Sequence, residues 1–432
     1  MDAGGSRFWT PNDRPSDELW RASDPSTMAD PHPDDRAPLI ATSRALLELV
    51  DHIRESGRFA FDTEFVSEDT FEPVLCLIQV ATKTRLAVVD PLRIDDLSPF
   101  WDAVNDPSIE VVMHAAGEDL RICRFQTGTI PKRVFDVQIA AGLVGYNYPL
   151  SLGNLVNQTL RISLPGGETR TDWRRRPLSD AQLRYALDDV RHLLELADFL
   201  GDKLQQLDRV AWAETEFAIF LHAIDHRAEE ERWRRLPGLH LLNRRGLEVA
   251  RRLYDWRTDD ARRSNRPLRS VLKDDLLVAV ARRQPGNRKD LEALRDFNRP
   301  ALLSRADEIL KALAEARNTP EDDLPEPTGR HDDRPGLAMV VSLLSATLSQ
   351  SCAQGKIAVG LAGGASDLKD LVRWYGEGKP SDRTPELLQG WRNEVCGETL
   401  LDVLSGRRAV RIVDPEAEVP VALAPIVDGP SA

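Results

Sequence analysis

The sequence contains little cysteine and no long apolar run. Its 432 residues include four cysteines, at positions 76, 123, 352 and 396, and no two of them are close neighbours. This spacing excludes a disulfide framework and a zinc site built from paired cysteines, and it indicates a reducing compartment such as the cytoplasm. No stretch approaches 18 consecutive apolar residues, and the first 36 residues lack the apolar segment of a secretory signal. We therefore expect neither a membrane span nor secretion.

Charge is distributed unevenly along the chain. The formal net charge is −13, yet residues 232–299 contain 19 basic and 9 acidic side chains, a net of +10, so the rest carries −23. A basic segment in an acidic chain indicates a local face for a polyanion rather than a surface that is basic throughout. The alternative interpretation is a solvated helix surface with ion pairs four residues apart.

Composition and periodicity divide the chain into an α/β part and two helical parts. β-rich runs joined by short turns precede strands that are separated by helical segments, which predicts a mixed sheet with helices packed around it. Pro-rich and acidic stretches predict a leader, a linker and a tail. The predicted boundaries are a disordered leader at 1–36, an α/β domain at 37–215, a helical domain at 216–317, a linker at 318–336, a second helical domain at 337–412 and a tail at 413–432.

Local patterns locate the elements of the α/β domain. Ser179 and Gln182 form a capping box, which predicts the start of a long helix that continues to about Lys203. The predicted strands are 58–65, 74–82, 85–90 and 109–116, and further helices are predicted at 44–55, 117–126, 134–144 and 152–160.

Two acidic residues lie two positions apart on the first predicted long strand, FDTEF. Asp62 and Glu64 project from the same face, roughly 7 Å apart at about 3.3 Å per residue. Burial of two acids is costly without positive compensation, which a hard cation such as Mg²⁺ would supply. The pattern alone is weak, because Asp-x-Glu also occurs at 414–416. That second copy is not a candidate, since its Pro415 cannot occupy a central strand.

Three more residues extend this pattern. Asp119 follows the strand VVMHAA at a helix start, where open sheets commonly place ligand-binding residues, although it could also complement the helix N-terminus. Tyr185 and Asp189 are four apart on one helix face. Of the five tyrosines, only Tyr185 has an aspartate four residues later. Each feature alone is better explained as an ordinary surface or packing residue, but their combination and order form a demanding pattern.

This order of motifs resembles the DEDD superfamily of 3′–5′ exonucleases, in its tyrosine-bearing branch, and is most similar to the ribonuclease D family. The likeness runs through FDTEFVSEDTFEPVLCLIQVAT (61–82), HAAGEDLRICRF (114–125) and ETRTDWRRRPLSDAQLRYALDDVRHL (168–193). Residues 246–285 resemble an HRDC domain, and 337–412 could be a second, degenerate copy. The resemblance implies the fold class α/β, a ribonuclease H-like mixed sheet with flanking helices, followed by all-α HRDC-type helical domains.

The resemblance also implies an activity. It implies metal-dependent hydrolysis of RNA from the 3′-OH end to nucleoside 5′-monophosphates, in 3′ maturation of tRNA and other structured RNAs. A DNA-directed exonuclease of the same superfamily is one alternative. A catalytically dead nucleic-acid-binding protein is another, which the presence of all four acids and Tyr185 opposes.

The family's site residues carry over onto matching positions. Two divalent ions, Mg²⁺ or Mn²⁺, would be held by Asp62, Glu64, Asp119 and Asp189, with Tyr185 orienting the attacking water rather than acting as a base.

Several further residues are candidates for RNA binding. Phe65 could stack on a terminal base or belong to the core, Gln79 could contact a nucleotide or the sheet, and His114 could instead be a satisfied polar group at a strand end. The basic candidates cluster in the first helical domain and are Arg262, Arg263, Arg266, Arg269 and Lys273.

Overall fold

The computed structural model describes residues 39–165, 171–226, 232–327, 335–417 and 419–426. The predicted leader at 1–36 lies outside these residues, as do parts of the predicted linker and tail.

A six-stranded mixed sheet forms the centre of the N-terminal domain. Its strands are β1 (Leu39–Ile40), β2 (Arg58–Val66), β3 (Val74–Ala81), β4 (Leu86–Val89), β5 (Glu110–Met113) and β6 (Val134–Asp136). They lie in the order β1-β4-β3-β2-β5-β6, and β3 runs antiparallel to both of its neighbours while the other pairs are parallel. The predicted antiparallel start followed by helical crossovers is confirmed.

Helices cover both faces of this sheet, and β2 contacts both helical layers. One side of β2 is apolar and the other is mixed. Phe59 and Phe61 pack with α1 and α2, whereas Ala60 faces the helices of the opposite layer. This layer arrangement confirms the ribonuclease H-like mixed sheet. The helices are α1 (Ser43–Ser56), α2 (Ser98–Val104), α3 (Gly117–Thr127), α4 (Val137–Leu143), α5 (Leu152–Leu160), α6 (Asp180–Arg191), α7 (Leu193–Gln206) and α8 (Val210–His226).

Two of the predicted helices differ from the observed elements. The segment predicted as a helix at 134–144 begins as strand β6, because Val134 pairs with Val111 and Asp136 then caps α4. The long helix predicted to run to Lys203 breaks at His192 into α6 and α7. α6 then packs on β3 and β4, while α7 packs on α4. The predicted start of the first helical domain, residue 216, lies inside helix α8. Phe217 of this helix packs in the same core as α4 and α7.

The remaining chain is mostly helical, as predicted. The first helical domain has its own apolar core and contains α9 (Arg244–Ser264), α10 (Leu268–Val271), α11 (Asp274–Arg283), α12 (Arg288–Glu292), α13 (Pro300–Leu303) and α14 (Ala306–Asn318). The second contains α15 (Leu337–Gly355), α16 (Val359–Ala362), α17 (Ala365–Gly376), α18 (Gly390–Arg392) and α19 (Glu398–Leu404), and then a hairpin of β7 (Arg408–Ile412) and β8 (Val421–Pro425). The segment predicted as a tail therefore supplies a strand.

Helix α15 is the one described helix that is long and apolar enough to cross a membrane by length and composition. It packs against α17 and α19, and its Leu344 and Leu348 are buried in the core of this domain. These contacts are those of a core helix in a helical bundle.

A buried ion pair fixes the second helical domain to the N-terminal α/β domain. Glu216 of α8 accepts hydrogen bonds from the guanidinium of Arg392, one of 2.9 Å, and from the indole Nε1 of Trp391 at 2.7 Å. Arg209 adds hydrogen bonds to the carbonyls of Leu143, at 2.7 Å, and Lys356, at 3.0 Å. Because the two parts also share one apolar core, they form a continuous packed body.

Removal of one partner of this ion pair should strongly destabilise the protein. The side chains of Glu216 and Arg392 are only 7% and 9% exposed. Arg392→Met leaves a buried carboxylate without its main partner, so we expect a loss of about 3–5 kcal/mol. The double variant Glu216→Leu/Arg392→Met should regain much of this loss, because neither charge then remains buried.

Urea unfolding followed by circular dichroism measures these differences. Arg44→Met is a matched control, because Arg44 pairs with Glu48 while 91% exposed and should change stability by less than about 1 kcal/mol. Equal losses for Arg392→Met and this control would contradict the assigned role.

Candidate active site

Three acidic side chains from two elements converge on one side of the sheet. Asp62 and Glu64 extend from β2 toward α6, which supplies Asp189, and one carboxylate oxygen of each lies within 4.8 Å of the others. In the part of the chain that the structure describes, this is the one group of three or more His, Cys, Asp or Glu residues with metal-ligand spacing. The predicted same-face arrangement of Asp62 and Glu64 is therefore observed.

The fourth acid is held beside this group by the strand itself. Asp119 of α3 accepts two hydrogen bonds from Thr63, one from its backbone N–H at 3.0 Å and one from its hydroxyl. The start of α3 is fixed in turn by Asp136, which accepts from the N–H of Ala116 at 2.9 Å. Thr63 was not among the predicted site residues. The sequence feature that could have identified it is a polar residue within the apolar face of β2.

The position of α6 depends on contacts that precede it in the sequence. The predicted capping box is present, since Ser179 and Gln182 exchange side-chain and backbone hydrogen bonds. Arg176 forms a two-point ion pair with the fully buried Asp90 at the end of β4, with two N–O distances of 2.7 Å. It also donates to the carbonyl of Cys76 at 2.8 Å, and these bonds tie the approach to α6 onto β3 and β4.

Tyr185 completes the group from the same helix face as Asp189. Its ring centroid is 6.1 Å from that of the buried Trp173, and Asp189 follows it by one turn of α6. Burial and the charges of the nearby acids raise the pKa of Tyr185 well above its ordinary value. The phenol therefore keeps its proton and acts as a hydrogen-bonding group. Trp173 was also not predicted, although it lies within the long third motif.

The four carboxyl groups destabilise one another in this setting. Burial, followed by the charges of Asp189 and Asp119, raises the pKa of Glu64 to about 8. Burial is also the largest cause that raises the pKa of Asp189 to about 7 and the pKa of Asp119 to about 6. The pKa of Asp62 is raised well above its ordinary value by burial and by the other three acids.

This donor set fits divalent cations. The charges that act most strongly on the four acids are all negative. Hard carboxylate oxygens are the ligands that Mg²⁺ prefers, and its charge would replace this repulsion by attraction. The cluster therefore has both the chemistry and the electrostatic requirement of a metal site.

The three uncharged or weakly basic candidates occupy different surroundings. Gln79 lies directly opposite Asp62 in the β2–β3 pair, is fully buried, and its amide has no hydrogen-bond partner among the described residues. His114 is paired with the carbonyl of Leu150 at 2.9 Å, as expected for a satisfied polar group at a strand end. Phe65 is half-buried on the apolar core and also lines a surface cleft. The hydrogen bond of His114 favours a role within the protein, whereas the buried Gln79 amide has no described partner that would assign it one.

The predicted basic cluster lies where the first helical domain meets the β2–β3 loop. The guanidinium of Arg262 lies 5.5 Å from the ring centroid of Phe71, and Arg269 donates to the carbonyl of Glu68 at 3.1 Å. Asn265 accepts from the backbone N–H of Phe71 at 3.1 Å. These contacts hold the two domains together.

The other members of the cluster are all exposed, and one of them is ion-paired. Arg263 pairs with Asp260 at 3.1 Å, which leaves less of its charge available to a ligand. Arg266 and Lys273 are exposed.

Comparison with known families divides the chain in the same way as its structure. Residues 38–205 match the family described as 3'-5' exonuclease, and residues 246–313 match the HRDC domain. Residues 335–400 match the family described as ribonuclease D, C-terminal HRDC domain. The second helical block, which the sequence suggested could be a degenerate HRDC copy, thus matches a family that is also described as an HRDC domain.

Whole-chain relatives have the same organisation. The chain is 34% identical to the ribonuclease D of Gluconacetobacter diazotrophicus over 373 residues, which covers 85% of this chain and 93% of the relative. Ribonuclease D of Escherichia coli is 31% identical over 367 residues, with 85% and 98% covered.

Solved structures extend the comparison to the fold. The crystal structure of E. coli RNase D, described as an exoribonuclease involved in structured RNA processing, superposes with a TM-score of 0.73. It has 30% identity and covers 86% of this chain and 99% of its own. The catalytic core of RRP6 from Trypanosoma brucei has the same fold, at 23% identity and a TM-score of 0.51 over 65% of this chain and 80% of that chain.

Removal of one site charge should stabilise the metal-free protein. A carboxyl whose pKa is raised on folding binds more protons in the folded than in the unfolded state near neutral pH, so its contribution to stability falls as pH rises. Asp62→Asn removes this repulsion, and we expect a gain of order 1 kcal/mol in EDTA at about pH 8. The free energy of unfolding of the parent should fall between about pH 5 and pH 8, and that of the variant should fall by a smaller amount.

Thermal unfolding with EDTA and with Mg²⁺ tests this expectation. Mg²⁺ should raise the Tm of the parent and have little effect on Asp62→Asn. Asp95→Asn is the matched control, because Asp95 is exposed and lies outside the cluster. A lower Tm for Asp62→Asn than for the parent in EDTA would contradict the electrostatic analysis.

Proposed function

The chain belongs to the ribonuclease D family of 3′–5′ exoribonucleases, and we propose that Asp62, Glu64, Asp119 and Asp189 form its hydrolytic centre. The product expected from this centre is a nucleoside 5′-monophosphate, released from the 3′-OH end of RNA. The observation that carries the assignment is the convergence of three carboxylates within 4.8 Å, with the fourth acid held beside them by Thr63.

Enzymes of this family use two divalent metal ions, Mg²⁺ or Mn²⁺. Asp62, Glu64 and Asp189 would hold one ion, and Asp119 together with Asp62 would support the other. When bound, such ions supply a hydroxide nucleophile at neutral pH and stabilise the leaving oxygen of an in-line displacement. The raised pKa values of these acids in the metal-free chain are consistent with that role, because only a cation can keep all of them ionised together.

Tyr185 would orient the attacking water by hydrogen bonding. Its raised pKa makes it a poor base, and Asp189 lies on the same face of α6 one turn away. The contact with Trp173 supports the ring of Tyr185 from the side. Water orientation by a protonated phenol needs no proton transfer to the protein.

The rest of the chain supports a proposal for the RNA substrate and for the compartment. The exonuclease-like domain is followed by HRDC domains, which bind nucleic acid, and the net +10 of residues 232–299 suits the phosphate backbone. We propose that the substrates are tRNA precursors and other structured RNAs with unpaired 3′ ends. All four cysteines are free and buried, which supports a cytoplasmic location.

Digestion of a 5′-labelled single-stranded RNA and its DNA counterpart tests the activity. We expect a ladder that shortens from the 3′ end on RNA with Mg²⁺ or Mn²⁺, little cleavage of DNA, and none with EDTA. A stronger ladder on DNA would instead assign the chain to DNA processing, and no ladder on either, with RNA binding intact, would indicate a binding protein without hydrolysis.

Single acid variants test the centre itself. Asp62→Asn and Asp189→Asn should reduce hydrolysis to background while the affinity for RNA remains largely intact, because the phosphate-binding side chains are unchanged. Asp95→Asn, an exposed substitution outside the cluster, should degrade RNA as the parent does. Retained cleavage by Asp62→Asn or Asp189→Asn would refute the site assignment.

Tyr185→Phe isolates the hydroxyl, because it keeps the ring that packs on Trp173. We expect kcat to fall by about 10²-fold, the cost of a misplaced reacting group, with little change in KM. The residual rate should keep the pH dependence of the parent if the hydroxyl orients water. If the pH–rate profile of the variant lacks one of the limbs seen in the parent, Tyr185 transfers a proton instead.

A further inference from the structure

A cleft of about 1070 Å³ separates the exonuclease-like domain from the first helical domain. One wall is formed by the β2–β3 loop and α3, and the other by residues 232–236, α9 and α10. None of the four acids lines the cleft, but two of its lining residues are their immediate neighbours in the chain: Phe65 follows Glu64, and Glu118 precedes Asp119. Its volume exceeds that of pockets for drug-sized ligands, roughly 300–1,000 Å³, so it can hold more than one nucleotide.

The cleft is basic although the chain is acidic. Its lining contains three acids, Glu68, Glu118 and Asp274, against six arginines, namely Arg121, Arg124, Arg232, Arg235, Arg257 and Arg269. Such a local excess of positive charge in a concave surface attracts a polyanion.

Two of these arginines are free of internal partners in the described part of the chain. Arg232 and Arg235 are exposed, and neither forms an ion pair or side-chain hydrogen bond with any described residue. By contrast, Arg121 pairs with Glu118, and Arg257 pairs with Asp274 across the lining. Arg232 and Arg235 can therefore bind phosphate without breaking a contact to any residue that the structure describes.

The opposite wall carries aromatic side chains. Phe125 of α3 is 45% exposed and lines the cleft. Phe65 lines the same cleft nearer to the acids. Aromatic rings facing a basic groove are the arrangement by which proteins bind single-stranded nucleic acid, since every base can stack on them.

We propose that this cleft binds the RNA strand upstream of its 3′-terminal nucleotide. Phe125 stacks on a base, and Arg232 and Arg235 bind the phosphates that follow it away from the acidic cluster. This inference rests on the proposed exoribonuclease function and adds its RNA path. It also assigns the phosphate contacts to Arg232 and Arg235, because the predicted Arg262 and the cleft-lining Arg269 are already in contact with Phe71 and Glu68.

Equilibrium binding of single-stranded RNA tests the path without cleavage. The probe is a 5′-fluorescent oligoadenylate of about 16 nucleotides, the upper site size of a single-strand-binding module. It is titrated in an Asp62→Asn background with Mg²⁺. Arg232→Gln/Arg235→Gln should raise the Kd about tenfold and reduce the slope of log K against log salt by about 1.4, because two phosphate contacts are lost.

A second variant and a matched control separate stacking from general charge. Phe125→Ala should raise the Kd about tenfold without changing the salt slope, because a stacked base carries no released counterion. Arg282→Gln/Arg283→Gln removes the same charge from an exposed helix end outside the cleft and should bind as the parent does. Equal weakening by this control, or unchanged binding in both cleft variants, would overturn the proposal.

Cleavage distinguishes failure of this inference from failure of the proposed function. If the parent does not shorten RNA at all, the exoribonuclease assignment fails, whatever the cleft variants bind. If the parent shortens RNA and the cleft variants shorten the 16-nucleotide probe at the same kcat/KM, only the RNA path fails. A loss of kcat/KM in the cleft variants that grows with RNA length supports the path, because longer RNAs reach more of the cleft.

Discussion

Mutual repulsion of four partly buried carboxyl groups is the constraint on which the rest of the site depends. Burial and neighbouring acids raise the pKa of Glu64 to about 8, and the other three acids are shifted in the same direction. A fold that held these groups loosely would separate them. Here Thr63 fixes Asp119 with two hydrogen bonds, and the Arg176–Asp90 ion pair fixes the approach to α6. The repulsion is thereby stored in the metal-free chain and becomes attraction toward divalent cations.

Arginine serves two separate purposes in this chain. Some arginines are bound to the protein itself: Arg392 joins the last helical domain to α8 through Glu216, and Arg269 joins the first to the β2–β3 loop. Others line the cleft beside the acidic cluster, where Arg232 and Arg235 have no partner among the described residues. This division explains how an acidic protein can bind a polyanion, because binding depends on which charges remain available and not on the net charge.

The local sequence was sufficient for most elements and for the chemical identity of the site. The alternation in FDTEF placed Asp62 and Glu64 on one face, and the spacing of Tyr185 and Asp189 placed both on one turn of α6. Sequence periodicity failed where it was ambiguous: residues 134–136 pair as a strand because β5 is beside them, and the long helix breaks at His192. Neither the strand at 134–136 nor the helix break at His192 can be predicted from a short stretch of sequence, because both depend on neighbouring elements.

The sequence by itself therefore determined the kind of chemistry, the sheet with its flanking helices and the presence of two helical domains. Only the tertiary structure decided which side chains meet. It brought Thr63 to Asp119, across 56 positions, and Arg176 to Asp90, across 86. It also engaged part of the basic cluster in contacts with the β2–β3 loop and left a different pair of cleft arginines without a partner among the described residues. The physical reason is that residue type and spacing set local conformation and charge, whereas the pairing of a charge is set by whatever packs against it.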